Sequence, residues 1–157
     1  MDLTIKLLVL LLLILANAFF AMSEIAIISL NDNKMKRMAE EGDKKAKKVI
    51  KLTEDASGFL STIQIGVTLA GFLASASAAS NFAEPLADAI AKLFGMPAAN
   101  SLISTVSMIL VTILISFVTL VFGELAPKRI AMKKSEAVAF KSVSVLLFIK
   151  SFMKPFV

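Results

Sequence analysis

Residues 121–128 read VFGELAPK and set a carboxylate, Glu124, between a glycine and a proline at one end of an apolar segment. An ionisable group inside a membrane span is costly and marks a substrate pathway or an ion site. Pro127 has no backbone N–H, so in a helix the carbonyl of Gly123, four residues earlier, loses its partner. That carbonyl and the carboxylate are two oxygen ligands for a cation. A second acid, Glu24, falls at the matching depth of the first apolar segment, and Asn17 lies seven residues before it on the same helical face. Two carboxylates on neighbouring helices repel unless a cation or a proton lies between them. Ser23, Thr68 and Ser75 can supply further oxygens. The competing arrangement is an ion pair between Glu124 and Lys128, four residues on.

Composition narrows the metal and the chemistry. The chain has neither His nor Cys. The commonest general base and the usual transition-metal ligands are therefore absent. A metal site here is built from oxygen, which suits Mg2+, Ca2+ or Na+. No phosphate-cradling glycine loop and no soluble acid–base pair is present, so the sequence points away from an enzyme. Of the 17 basic residues, 13 fall in residues 31–51 and 128–141, each beside an apolar segment. That distribution marks the cytoplasmic side of a membrane, with anionic lipid as a partner, and not a nucleic-acid surface.

The elements that must position these groups are membrane helices. The 157 residues are 57% hydrophobic, with mean hydropathy +0.82. The apolar runs are continuous and do not alternate, which favours helices over a barrel. The expected fold is an all-α integral membrane domain with three transmembrane helices, at about residues 3–28, 58–80 and 102–124. Residues 3–20 also fit a cleaved signal peptide, with small residues at Ala16 and Ala18. Against cleavage, the apolar pattern continues through Ile25, Ile27 and Ile28, and Asp2 opposes Lys6.

Residues 31–51 form a basic cytoplasmic segment, read as a solvated or headgroup-lying helix with Glu40–Lys44 and Glu41–Lys45 pairs. In the second span Gly71, Ser75 and Ala79 form a ridge of small residues that suits close helix packing. Residues 81–101 read as the outer connection, with a short helix between Pro85 and Phe94. Thr112, Ser116, Thr119 and Gly123 draw a polar stripe along the third span, ending at Glu124. Residues 128–157 are juxtamembrane, and the apolar run 143–156 reads as an interfacial helix or a shallow fourth span. Loop charge places the amino terminus outside and the carboxyl terminus in the cytoplasm, in the plasma (inner) membrane.

Three motifs carry a family resemblance: NAFFAMSEIAI at 17–27, STIQIGVTLAG at 61–71 and FGELAPK at 122–128. Their order and spacing resemble the transmembrane domain of the CorC / cyclin-M (CNNM) magnesium transporter family, also described as hemolysin-like. The resemblance covers essentially the whole chain. It implies a three-span homodimer and Mg2+ transport or export coupled to Na+. It implies ligands from all three spans, with Glu124 as the acid, Gly123 and Lys128 as nearby backbone contributors, and Ser23 close to the first-span ligands. The chain departs from that pattern at Ala21 and Val67, where many members carry Ser and Asn. Members continue into paired CBS domains and a small carboxyl-terminal domain, so the 157 residues correspond to the isolated membrane portion. The alternative reading is a non-transporting membrane anchor or sensor for cytosolic regulatory domains. The hemolysin description alone suggests a membrane-damaging protein, and the chain lacks an amphipathic pore-forming pattern.

Overall fold

The computed structural model describes residues 3–95 and 101–154. Among them every element is helical: α1 (Leu3–Ile28), α2 (Asp32–Glu40), α3 (Lys44–Thr53), α4 (Ala56–Phe94), α5 (Ser101–Leu120), a π-helical turn (Val121–Leu125), α6 (Ala126–Lys133) and α7 (Ser135–Met153). Three stretches are long and apolar enough to cross a membrane: Leu3–Ile28, Ala56–Phe94 and Ser101–Lys133. The all-helical, three-span expectation therefore holds. Pro97 and Pro155, which the sequence places in the outer connection and near the chain end, lie outside the described residues.

Local chemistry sets where the helices begin. Asn31 caps α2 by accepting from the Lys34 backbone N–H. Asp43 caps α3, accepting from the N–H groups of Lys45 and Ala46. Asp55 caps α4 through the Gly58 N–H at 2.9 Å. Each carboxylate or amide satisfies a donor that the first helical turn leaves open.

The basic segment is two helices and not one. Gly42 turns the chain at φ +101°, a conformation suited to glycine. The break separates Glu40 and Glu41 from Lys44 and Lys45, and Glu41 pairs instead with Arg37 at 3.9 Å. Nor is this segment merely solvated. Met35 and Ala39 of α2 and Ala46, Val49 and Leu52 of α3 are buried against Ala26 and Ile27 of α1, Phe59 and Ile63 of α4, and Val143 and Leu146 of α7. The largest core thus lies at the basic end of the bundle.

The membrane-level core is thinner. Ala74 and Ala78 of α4 meet Leu10 of α1 and Val111 of α5. The small-residue seam that packs is Ala70, Ala74 and Ala78, all buried. The predicted Gly71–Ser75–Ala79 ridge lies one residue round the helix. A Cβ at Gly71 would meet open space, so the ridge is not a close-packed seam at that position, and all three of its residues are only half-buried.

At the other end, the predicted short helix after Pro85 is the continuation of α4, which runs 39 residues with Pro85 inside it. At 1.5 Å per residue that is roughly 58 Å, well beyond a hydrocarbon core of about 30 Å. The extension is held by Ala87 and Ala91 packing on Ile103 of α5.

Candidate functional site at the π-helical turn

Pro127 shapes the third span where α5 becomes α6. Without its N–H the α-helical ladder cannot close, and the helix widens over five residues, Val121–Leu125, with the Ala126 N–H donating to the Val121 carbonyl. Single π turns of this kind reorient backbone groups and recur at functional sites. The carbonyl of Gly123 accepts a hydrogen bond from Asn17 Nδ2 of α1 at 3.1 Å, a buried contact. A Cβ at Gly123 would lie 2.9 Å from that same nitrogen and 3.4 Å from the Thr119 methyl. Glycine is thus required by close approach of the two helices.

Around this contact sit oxygens without partners. Asn17 Oδ1, Ser23 Oγ and Thr119 Oγ1 are buried and make no hydrogen bond among the described residues. Asn17 is 3% exposed, Ser23 0% and Thr119 7%. Buried polar atoms almost always find a partner, so the unpaired oxygens of Asn17 and Thr119 at this junction need an explanation, as do those of Ser23 on α1 and Ser107 on α5. Asn17 and Thr119 both border Gly123. Ser23 lies six residues further along α1, roughly 9 Å by helical rise.

The two acids lie at the same junction and are bridged by a lysine. Lys128 Nζ is 2.8 Å from Glu124 Oε1 and 3.4 Å from Glu24 Oε2. All three side chains are partly shielded, at 27%, 31% and 23% exposure for Lys128, Glu124 and Glu24. The expected cation between the carboxylates is therefore present, and it is an ammonium of the chain itself. Among the described residues no group of three His, Cys, Asp or Glu side chains is placed to hold a metal ion. Glu24 and Glu124 share Lys128 Nζ in this conformation. The sequence competitor, pairing with Lys128, describes it, extended to both acids.

The remaining candidates separate. Ser23 and Gly123 join the junction. Thr68 is exposed on α4. Ser75 faces Ser116 of α5, their hydroxyls 3.5 Å apart, about two helical turns from Glu124. Asn17 and Thr119 stand out only in the structure. The sequence marked them as members of polar faces, and helical spacing alone did not show that their faces meet. Ala21, where many members of the resembling family carry serine, is fully enclosed and packs without adding an oxygen.

The chain belongs to the family described as "Cyclin M transmembrane N-terminal domain", whose model matches residues 8–157. It is an integral membrane domain of that family. Its relatives include UPF0053 protein sll0260 of Synechocystis, 37% identical over 127 residues, covering 81% of this chain and 28% of the relative. The polyamine export protein of Haemophilus influenzae is 31% identical over 157 residues, covering 100% of this chain and 35% of the relative. The inner membrane protein YfjD of Escherichia coli is 31% identical over 141 residues, covering 90% of this chain and 29% of the relative. The chain thus spans about a third of the length of the curated relatives it matches.

Proposed function

We propose that this domain moves a hard cation, Mg2+, across the inner membrane, as an exporter coupled to Na+ and working as a homodimer. The observation that carries the reading is the pair of unpaired buried oxygens Asn17 Oδ1 and Thr119 Oγ1 beside Gly123, with Ser23 Oγ unpaired farther along α1 next to Glu24. Mg2+ prefers oxygen ligands and keeps several waters, so a few protein oxygens suffice. Three spans enclose little volume, and a second copy is the economical way to shield the polar faces from lipid. The basic segments beside it support a cytoplasmic mouth for the Glu24–Lys128–Glu124 cluster, with the carboxyl terminus on that side.

Lys128 gives the site a built-in competitor. Its ammonium neutralises one of the two acids while the site holds no cargo. A divalent ion entering among the oxygens makes the third positive charge surplus, and the lysine side chain swings out to water. The site then carries two carboxylates against two positive charges. Removal of the ion draws the ammonium back.

A second cargo has specific support. The ammonium held between two carboxylates is the chemistry that would bind an alkylammonium ion, and one relative is named a polyamine export protein. Flux into proteoliposomes separates the readings. A Mg2+ transporter moves Mg2+ and loses flux in Glu124→Gln, with spermidine a poor competitor. A polyamine transporter moves spermidine instead. A membrane anchor moves neither, and that result sinks both transport readings.

A further inference from the structure

The corner where α3 turns into α4 faces the last turns of α7, and between them lies an open cavity of about 570 Å3. Three lysines line it, Lys51, Lys150 and Lys154, along with the serines Ser57, Ser61 and Ser151. Two acids, Glu54 and Asp55, are also in the lining. Asp55 is already engaged: it caps α4 and pairs with Lys150 at 3.1 Å. Lys150 also donates to the carbonyls of Leu52 and Asp55. Among the described residues, Lys51 and Lys154 have no ion-pair partner, and they stand against Glu54 alone. The uncommitted charge of the cavity is two lysines less one acid, or +1.

At Thr62 this polar cavity meets a second one of about 250 Å3. That groove is apolar, bounded by Leu13 and Ala16 of α1, Leu69 and Leu73 of α4, and Ile149 and Met153 of α7. From Thr62 to Leu73 is 11 residues, roughly 16 Å of helix, or about half of a hydrocarbon core near 30 Å. The groove thus has the length of one leaflet, and the cationic cavity lies at its end, level with the first turn of a membrane span.

We propose that the two together bind one monoanionic phospholipid, its phosphodiester between Lys51 and Lys154 and one acyl chain in the groove along α4. The single uncommitted positive charge matches one phosphate. The serine hydroxyls are free to donate to its oxygens, and Glu54 accepts from a headgroup hydroxyl. Basic pockets between membrane helices recognise anionic headgroups through these same contacts. The bound lipid ties α7, through Ile149, Met153 and Lys154, to Leu13 and Ala16 of α1 and Leu69 and Leu73 of α4. This site is separate from the π-helical turn and does not depend on its cargo.

The test is lipid retention by the purified full chain, read by native mass spectrometry after incubation in detergent with phosphatidylglycerol, phosphatidylcholine or inorganic phosphate. Phosphatidylglycerol is expected to be retained preferentially. Lys51→Met and Lys154→Met should each lower that preference about fivefold, near the contribution of one basic residue beside anionic lipid. Ala16→Phe, which fills the groove, should lower retention of phosphatidylglycerol while leaving helicity unchanged. Equal retention of phosphatidylglycerol and phosphatidylcholine by the unaltered protein overturns the proposal without need of any variant. So does full displacement of the lipid by millimolar inorganic phosphate, which assigns the lysines to a free anion.

Discussion

Asn17 of α1 donates its side-chain amide to the carbonyl of Gly123, 3.1 Å away and 106 residues later in the chain. The bond joins the first span to the π-helical turn of the third, and it leaves Asn17 Oδ1 buried without a partner. Interhelical hydrogen bonds in membranes contribute only about 0.6 kcal/mol on average, and up to about 1.7. Asn17→Leu is therefore expected to lower unfolding stability by less than about 2 kcal/mol, yet to abolish cation-induced stabilisation. Thermal unfolding with and without Mg2+ checks both halves. A variant that still responds to Mg2+ as the parent does removes Asn17 from the site.

Gly123 is constrained more tightly. A Cβ there would sit 2.9 Å from Asn17 Nδ2, so Gly123→Ala pushes α1 and the third span apart. Overpacking of this kind costs about 1–3 kcal/mol. The expected result is a lowered unfolding temperature, partly restored by Asn17→Ala in the same chain. Failure of the second substitution to restore anything would mean that the strain lies elsewhere.

Pro127→Ala returns the missing backbone N–H and lets the α-helical ladder close. Thermal stability should hold or rise, while the cation response falls because the Gly123 carbonyl turns back into the helix. Loss of stability together with an intact cation response would show that the π turn is a packing device only.

Gly66 meets Phe20 in the same way that Gly123 meets Asn17. A Cβ would lie 2.6 Å from the Phe20 ring, so Gly66→Ala is expected to cost about 1–3 kcal/mol. Phe20→Leu should relieve most of it. The pair is read out by chemical or thermal unfolding, and additive losses would contradict the contact.

Asp55 predicts a pH dependence at the start of α4. The Gly58 N–H and then the Lys150 ammonium hold its carboxyl below the usual carboxylate range. A folded-state value below the unfolded one stabilises the protein above the unfolded value and is lost as pH falls through the folded one. The contribution should therefore be intact at neutral pH and fade below about pH 4. Asp55→Asn keeps a capping oxygen but drops the ion pair, so it should unfold at a higher temperature than Asp55→Ala and lose this acid dependence. Identical melting of the two variants at neutral pH would remove the cap from the account.

Much of the fold was legible because hydropathy is a property of single segments. The three spans, the break before α4 and the basic segments could each be read without knowing their neighbours. Pro127 and Gly123 also announced the irregular turn through backbone chemistry alone. What could not be read was rotation. Gly71, Ser75 and Ala79 have the right spacing for a packing ridge, yet the helix turns Ala70, Ala74 and Ala78 inward instead, because the neighbouring helices fill that side. Thr68 faced outward for the same reason. Glu24 and Glu124 were placed at one depth correctly, but their shared partner depended on where one long lysine side chain reached. Local spacing offers the Lys128–Glu124 pair only as a competitor to a bound cation, and the approach of α1 adds Glu24 to it.

In the proposed transport cycle Lys128 holds the place that the cargo cation takes. Thermal stability of the purified protein titrated with Mg2+, alongside Lys128→Met and Glu124→Gln, tests it most directly. Loss of the ammonium leaves two carboxylates facing each other, so Lys128→Met should be less stable without ion and reach half-maximal Mg2+ stabilisation at a concentration at least tenfold lower than the parent. Glu124→Gln should show little stabilisation at any concentration. A Lys128→Met titration that overlays the parent, or no shift in any of the three proteins, would contradict the claim.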